Sequence, residues 1–239
     1  MSDSSLPDLR AHYDAMWDRA WPDVSRGDVE CDLHLAGGLD PRRGLTLVAR
    51  PDAALAARFE AVQDALLAAD PRQYRQPLSD LHMTVLSLFT VTEDYASHLA
   101  RRADYAAAAR AALGDLPAFE IGFEGITISR GAVLAKGFPR DGTLERLRAR
   151  LRDALRARGL DGTLDQRYRL VTAHSTVLRF VAPPADPARL AAVLAAMRDV
   201  PLGTMRASSL QLVINDWYMS SAAVEPVATF TLRPPSDAT

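Results

Sequence analysis

Apolar residues recur along this chain with two periods, one of about 3.6 residues and one of two residues, which separate expected helices from expected strands. Helical spacing predicts helices at 6–21, 53–69, 93–113, 144–158 and 187–198, the third of them as one helix or two. Runs rich in β-branched and other apolar residues predict strands at 44–50, 81–89, 119–128, 132–137, 170–181, 210–218 and 227–233. This mixture predicts an α+β fold.

The first 42 residues do not follow the pattern of the rest. We predict an N-terminal helical extension over residues 1–42, with one amphipathic helix at 6–21 that Pro22 ends. From 23 to 43 the chain is polar and turn-rich, and Gly37-Gly38 is typical of a loop. We expect the helix to pack against the body of the protein; a partner-binding helix is the alternative.

The elements after the extension occur in a repeated order. The first half reads strand, helix, strand, helix, strand, strand, and the second half repeats this order without the first strand. We therefore predict one domain over 43–235, built from two lobes at roughly 43–140 and 141–235. Exchange of strands between the lobes is left open.

A four-residue pattern, His-x-Thr followed by a hydrophobic residue (HxTx), occurs once in each half. It reads His-Met-Thr-Val at 82–85 and His-Ser-Thr-Val at 174–177, each expected in the middle of a strand. Because side chains at i and i+2 of a strand share a face, His82 is expected beside Thr84 and His174 beside Thr176. Two such motifs in matched contexts indicate a duplicated site.

Two histidines and two threonines on one site suit the cleavage of a phosphate ester without a metal. A neutral imidazole can take a proton from water while a protonated one gives a proton to the departing oxygen, and the unperturbed pKa of histidine, about 6.5, lies near working pH. The threonine hydroxyls can donate hydrogen bonds to the phosphoryl oxygens. Two such histidines predict a bell-shaped pH profile with a maximum near neutrality, and the sequence does not assign acid and base between them.

Composition limits the partners more than it identifies them. The chain has 239 residues, 48% of them hydrophobic and 24% charged, which is enough for a substantial core. A net charge of -2 gives no general attraction to a polyanion, so we expect a small ligand or a strand end. Cys31 is the only cysteine, so one chain cannot form a disulfide or a thiolate metal cluster. The polar N-terminus and the absence of a long apolar run predict a cytoplasmic protein without a membrane partner. We also expect a monomer.

The two motifs, their spacing, the strand before the first helix and the order of elements resemble the 2H phosphoesterase superfamily, which includes the 2′-5′ RNA ligase-like proteins and the cyclic nucleotide phosphodiesterases. The resemblance covers about 43–233. It implies a bilobal duplicated fold in which two antiparallel sheets line a central cleft and the helices lie outside. It also implies that His82 and His174 are the acid-base pair and that Thr84 and Thr176 hold the phosphoryl oxygens. The implied reaction is metal-independent hydrolysis of 2′,3′-cyclic phosphates or 2′-5′ phosphodiesters in nucleotides or RNA ends, with no cofactor and with ligase activity also open.

Other residues are weaker candidates for substrate binding. A Tyr-Arg pair precedes each motif and could stack on a base and meet a phosphate, and an aromatic pair near the C-terminus could form a stacking platform. Packing of these aromatic rings within the fold is an equal alternative. The six residues are Tyr74, Arg75, Tyr168, Arg169, Trp217 and Tyr218.

Three basic residues are candidates for phosphate contact, namely Arg130, Lys136 and Arg179. In a regular strand Arg179 shares a face with Ser175, the second residue of its motif, which points away from the cleft. We therefore expect Arg179 to be a surface charge.

Two further functional classes compete with the phosphoesterase. One is a nucleotide- or RNA-end-binding module of the same fold without turnover. The other is a metal-dependent hydrolase that uses His82 and His174 as ligands. Neither motif contains an aspartate or a glutamate, and there is no His-x-x-x-His, so no metal site is predicted.

Overall fold

The computed structural model describes residues 8–36, 40–166 and 168–234. The predicted helix start at Leu6, the predicted loop at Gly37-Gly38 and Arg167, which precedes the second Tyr-Arg pair, lie outside these residues. The helices are α1 Leu9–Val24, α2 Ala53–Ala69, α3 Ala96–Ala100, α4 Arg102–Leu113, α5 Thr143–Arg156 and α6 Pro187–Ala196. The strands are β1 Arg43–Ala49, β2 Tyr74–Arg75, β3 Met83–Thr92, β4 Phe119–Ile128, β5 Ala132–Pro139, β6 Ser175–Arg179, β7 Pro201–Ala207, β8 Ser209–Asn215 and β9 Glu225–Thr231.

The strands form two sheets, and within each sheet every pair of neighbouring strands is antiparallel. The first sheet has the order β3-β1-β8-β9 and the second has the order β2-β6-β5-β4-β7. The expected α+β fold with two antiparallel sheets is confirmed. Each sheet takes strands from both halves of the sequence, so neither corresponds to one contiguous segment of the chain.

Helices pack against these sheets and bury their apolar faces. Helix α5 packs against β3, and α2 packs against β6 and β7. Helix α1 packs against β4, where Tyr13 and Trp17 are almost fully buried. The N-terminal extension is therefore part of the folded body. None of the helices in the described ranges combines the length and the apolar character that a membrane span requires.

Three of the differences from the predicted elements have identifiable reasons. Helix α1 continues past Pro22 to Val24, because Val24 is buried and the N–H of Ser25 still bonds to the carbonyl of Trp21. Strand β7 was not predicted; its Gly203 and alternating exposed positions are those of a sheet edge and give little apolar signal.

The third difference concerns the second motif. Strand β6 is only five residues long, Ser175–Arg179, and residues 170–174 before it have no regular structure. These residues are held by side chains of other elements, which are described below with the site.

Candidate active site

A cleft of about 360 Å³ lies between the two sheets. Residues from β1, β3 and β8 line one side, and residues from β5 and β6 line the other. A third wall comes from the irregular segment before β6. The residues of both HxTx motifs that the sequence singled out all line this cleft: His82, Thr84, His174 and Thr176.

Each motif histidine lies one residue before its strand. Strand β3 begins at Met83 and β6 begins at Ser175, so the expectation that both motifs lie in the middle of a strand was wrong. The first pair of the β1–β3 ladder joins Ala49 to Met83. His82 and His174 therefore have no partner strand, and their orientation depends on hydrogen bonds of the imidazole rings.

Those hydrogen bonds differ between the two histidines. Nδ1 of His82 lies 2.7 Å from the carbonyl oxygen of Asp80, which can only accept, so Nδ1 carries a proton and Nε2 of the neutral ring is left as an acceptor. Nδ1 of His174 lies 2.8 Å from the hydroxyl of Thr172, which can donate or accept. The environment of His82 is thus compatible with a protonated ring, while that of His174 accommodates either state.

Burial lowers the pKa of both imidazoles, in each case to about 4. The hydrogen bond to the Asp80 carbonyl acts in the opposite direction on His82. For His174, the nearby positive charges of a protonated His82, of Arg148 and of Arg179 lower the pKa further. Positive charges of Arg50 and Arg179 likewise lower the pKa of His82. The two histidines therefore belong to one electrostatic system, and the hydrogen bond to the Asp80 carbonyl is the feature that distinguishes them.

Both motif strands contain a β-bulge at the valine that follows the threonine. In the β1–β3 ladder Val48 pairs with Thr84 and Leu47 pairs with Leu86, so Val85 is the extra residue. In the β5–β6 ladder Leu134 pairs with Thr176 and Val133 pairs with Leu178, so Val177 is the extra residue. The bulge is thus duplicated along with the motif.

The second bulge corrects the prediction for Arg179. In a regular strand Arg179 would share a face with Ser175, but the extra residue reverses this relation. Arg179 therefore faces the cleft beside Thr176, whereas Ser175 is buried and does not line the cleft. The expectation that Arg179 is a surface charge was wrong, because alternation was counted through the bulge. By the same reversal Ser87, five residues after His82 as Arg179 is after His174, also lines the cleft.

The guanidinium of Arg179 is largely buried and is not neutralised by an ion pair among the described residues. It lies over the ring of Tyr218, 5.3 Å from the centroid, and its Nε has no hydrogen-bond partner in the described part of the chain. Burial lowers the pKa of this guanidinium. Because Arg179 lines the cleft, its guanidinium presents a positive charge there that suits an anionic ligand.

The weaker candidates for substrate binding occupy different places. Tyr168 and Trp217 line the cleft, with 67% and 38% of their surface exposed. Tyr218 is buried beneath Arg179 instead of facing the cleft, and Tyr74 pairs with Arg179 across the β2–β6 ladder. Arg169 is exposed and is not among the residues that line the cleft.

Three cations that the sequence suggested are not brought to the cleft. Arg75 forms ion pairs with Glu60 and Asp64 of α2. Lys136 is buried and pairs with an exposed aspartate, Asp199, at 3.0 Å. The third, Arg130, pairs with carboxylates of the N-terminal extension, namely Asp23, Asp28 and Glu30.

Polar residues that sequence reasoning missed form part of the lining. Thr46 of β1 and Asn215 of β8 are almost fully buried, and Thr46 approaches Ser87 at 3.5 Å between the hydroxyl oxygens. Oδ1 of Asn215 has no hydrogen-bond partner among the described residues. A polar residue within an otherwise apolar strand was the available signal for each of them.

A metal site needs several suitable donors in one place. Across residues 8–36, 40–166 and 168–234, no group of three or more histidine, cysteine, aspartate or glutamate side chains is placed to hold a metal ion. The two histidines of the cleft are accompanied by hydroxyls and a guanidinium, which are groups that bind phosphate oxygens.

Comparisons with known proteins give a family and a fold. The sequence model of the 2′-5′ RNA ligase superfamily matches residues 51–217. No curated protein matches the chain.

Solved structures with similar folds share little sequence with this chain. TT0787 of Thermus thermophilus is 20% identical, with a TM-score of 0.54, and covers 81% of this chain and 99% of its own. E. coli LigT complexed with 3′-AMP is 14% identical, with a TM-score of 0.55, over 80% and 98%. The Agrobacterium tumefaciens protein ATU0111, described as of unknown function, is 16% identical, with a TM-score of 0.53, over 86% and 96%. At these identities the likeness is one of fold.

Proposed function

The chain belongs to the 2′-5′ RNA ligase superfamily, and we propose that it is a metal-independent phosphoesterase that hydrolyses 2′,3′-cyclic phosphate or 2′-5′ phosphodiester bonds of nucleotides or RNA ends. The observation that carries the proposal is the convergence of two histidines, two threonines and Arg179 on one cleft. Histidines transfer protons, and the other three side chains bind the oxygens of a phosphate.

The histidines divide the proton transfers in this proposal. His82 is the acid, because its Nδ1–H donates to the Asp80 carbonyl in either charge state and Nε2 is left to carry the proton that is transferred. His174 is the base and takes a proton from the attacking water. For a 2′,3′-cyclic phosphate, the water oxygen forms a bond to phosphorus and the bond from phosphorus to one ribose oxygen breaks. His82 protonates that oxygen, and the product is a phosphomonoester.

The phosphoryl group is held by the cleft hydroxyls and the guanidinium. Thr84 and Thr176 donate hydrogen bonds to the non-bridging oxygens, where charge accumulates in the transition state. Arg179 lines the cleft and supplies a positive charge in a largely buried position, so its attraction for these oxygens is screened only weakly by water.

A nucleoside part of the substrate has room beside the phosphate site. Tyr168 and Trp217 line the cleft with exposed surface and can stack on a base. The relative LigT was crystallised with 3′-AMP, a nucleoside monophosphate of the kind that hydrolysis of a 2′,3′-cyclic phosphate yields. This supports a nucleotide or an RNA terminus as the substrate.

A substrate panel tests the proposal. Purified protein is incubated with a 2′,3′-cyclic nucleotide, an RNA with a 2′,3′-cyclic phosphate end and a 2′-5′-linked dinucleotide, and the 3′-5′-linked dinucleotide is the matched control. Each reaction is run with and without EDTA, and phosphorus NMR identifies the product isomer. We expect turnover of at least one of the first three, unchanged by EDTA. Binding of 3′-AMP without any turnover would instead support the binding module.

A metal dependence would lead to a different conclusion. If EDTA abolishes turnover and a divalent ion restores it, the two-histidine mechanism is wrong and the metal-dependent hydrolase takes its place.

A further inference from the structure

The bulged valine of each motif presents a backbone carbonyl to a buried side chain of a neighbouring helix. Nε of Arg148, on α5, donates to the carbonyl of Val85 at 2.8 Å. Nε2 of Gln63, on α2, donates to the carbonyl of Val177 at 2.8 Å. The two contacts occupy equivalent positions in the duplicated motifs, since each valine follows the motif threonine.

Arg148 also connects the first motif to the segment before the second. Its guanidinium donates to the carbonyls of Thr84 at 3.2 Å, Val171 at 2.9 Å and Thr172 at 2.6 Å. Four backbone carbonyls thus converge on one side chain, two from β3 and two from the irregular residues before His174. The hydroxyl of Thr172 in turn contacts Nδ1 of His174.

Both Arg148 and Gln63 are polar side chains buried among other elements, and no salt bridge in the described part of the chain accounts for the burial of Arg148. Arg148 is 2% exposed, and burial lowers its pKa to about 10. The carboxylates of Glu145 and Asp165 act on it only through charge, since no salt bridge among the described residues includes Arg148. Gln63 is fully buried and also donates to the carbonyl of Gln76, a residue next to β2. A buried guanidinium without a salt bridge costs stability relative to an apolar side chain, which favours a role beyond packing.

This inference rests on the phosphoesterase function proposed above. We propose that Arg148 and Gln63 are positioning residues, each of which holds the bulged strand of one HxTx motif. Together they orient the motif histidines, the motif threonines and Arg179 toward one cleft, and we call this pair the brace. Arg148 fixes the backbone on both sides of the cleft, so it sets the separation of the two histidines. Gln63 fixes the bulge that turns Arg179 toward the phosphate. Displacements of about 1 Å at reacting groups can cost about 10²-fold in rate, so a backbone brace has a large effect without touching substrate.

Activity measurements on matched variants test the two roles. Arg148→Met and Arg148→Lys are compared with Lys136→Met, which removes another buried cation from a place outside the cleft. We expect Arg148→Met to lower kcat about 10-fold or more, and Arg148→Lys to recover part of it, since an ammonium keeps the charge but not the planar fork. Lys136→Met should leave kcat within about 2-fold while lowering Tm. A kcat for folded Arg148→Met equal to that of Lys136→Met would overturn the role of Arg148.

Gln63→Met is nearly isosteric and removes only the amide. Because the Gln63 amide bonds to the bulge that precedes Arg179, we expect its loss to act mainly on substrate binding. KM should rise about 5-fold or more, and kcat should fall by less. An unchanged KM, in protein that retains its circular dichroism spectrum, would overturn the role of Gln63.

A titration that needs no turnover separates this inference from the proposed function. The charged groups that act on His174 are His82, Arg148, Arg179 and His12. Removing the charge of Arg148 should raise the pKa of His174, by about 0.5 or more, as read from the imidazole carbon signals in NMR. Lys136→Met should not move it, and Arg148→Lys should move it less than Arg148→Met. His82→Ala and His174→Ala assign the signals.

The combined outcomes are decisive for each claim. If the wild-type protein turns over none of the substrates, the proposed function fails. The brace still stands if Arg148→Lys, which keeps the charge, also changes the imidazole signals of His174, because loss of charge alone would act only in Arg148→Met. If Arg148→Met does not fold, the kcat of Arg148→Lys is the deciding measurement. A kcat equal to that of the wild-type protein in Arg148→Lys would overturn the brace. An unmoved His174 titration in folded Arg148→Met overturns it as well.

Discussion

The hydroxyl of Tyr218 donates a hydrogen bond of 2.8 Å to Oδ1 of Asp32. Asp32 belongs to the N-terminal extension, which the family match does not cover, and the ring of Tyr218 lies under the guanidinium of Arg179. The extension thus reaches the proposed phosphate site through one intervening aromatic residue. The expectation that Tyr218 itself stacks on a base gives way to a supporting position beneath the arginine.

Tyr218→Phe and Asp32→Asn test this connection. Tyr218→Phe removes the hydrogen bond that fixes the ring, and Asp32→Asn weakens it. Arg179 then loses a rigid support, and we expect KM for the best substrate to rise about 3-fold to 10-fold with a smaller change in kcat. Steady-state kinetics provides the measurement. Asp28→Asn is the matched control, because Asp28 lies in the same extension and pairs with Arg130 at the surface. An equal effect of Asp28→Asn would assign the loss to the extension as a whole.

The two motif histidines are expected to act as one unit. His82→Ala and His174→Ala should each lower kcat about 10²-fold or more, because each removes one of two complementary proton transfers. The double variant should fall far short of the product of the two losses, since a step already missing its acid gains little from its base. His98→Ala is the control, because His98 stacks on Phe89 away from the cleft lining. Near wild-type activity in either single variant would remove that histidine from the mechanism.

Much of the fold and the centre of the site could be predicted from the sequence. Periodicity located the helices and most strands because each element buries one face, and the duplicated HxTx pattern pointed to His82, Thr84, His174 and Thr176, which all line the cleft. These residues are read from local spacing. Local spacing does not predict the tertiary contacts that orient these residues.

The misses share a physical cause, which is that local spacing cannot register an inserted residue or a long-range hydrogen bond. The bulge at Val177 reverses the alternation of faces along β6 and so turns Arg179 into the cleft. The sequence of one strand does not show where an extra residue is inserted relative to its partner strand. Arg148 resembles a surface charge on a helix rich in arginine. Its spacing from Leu144, Leu151 and Leu155 places it on the apolar face of α5, which was the available signal for its burial.

Arg179 is expected to contribute through its planar fork as well as its charge. Arg179→Met should lower kcat/KM about 10²-fold or more, because it removes the one cation that lines the cleft among the described residues. Arg179→Lys should recover only part of this, since an ammonium cannot bind two phosphate oxygens in parallel. Arg75→Met is the matched control, on the neighbouring strand β2 but paired with helix carboxylates. If Arg75→Met and Arg179→Met have equal effects, the phosphate role of Arg179 is wrong.

The pH dependence follows from the burial of the histidines, and it differs from the sequence-based expectation of a maximum near neutrality. Burial lowers the pKa of both His82 and His174 to about 4, so at neutral pH the free protein holds both rings uncharged. The proposed mechanism needs one charged ring. The competent fraction of free protein must therefore decrease as pH rises through and above these pKa values.

The pH profiles of kcat/KM and kcat should differ, because the first reports the free protein and the second reports the substrate complex. kcat/KM reports the free protein and should have its maximum below pH 6.5, the ordinary pKa of histidine, with an alkaline limb that falls about tenfold per pH unit. kcat reports the complex, in which the anionic phosphodiester favours the protonated ring, so its alkaline limb should lie at higher pH. Both limbs belong to the coupled pair and not to one residue. Stopped assays from pH 4 to 9 provide the measurement, and a kcat/KM that rises steadily across this range would contradict the two-histidine mechanism.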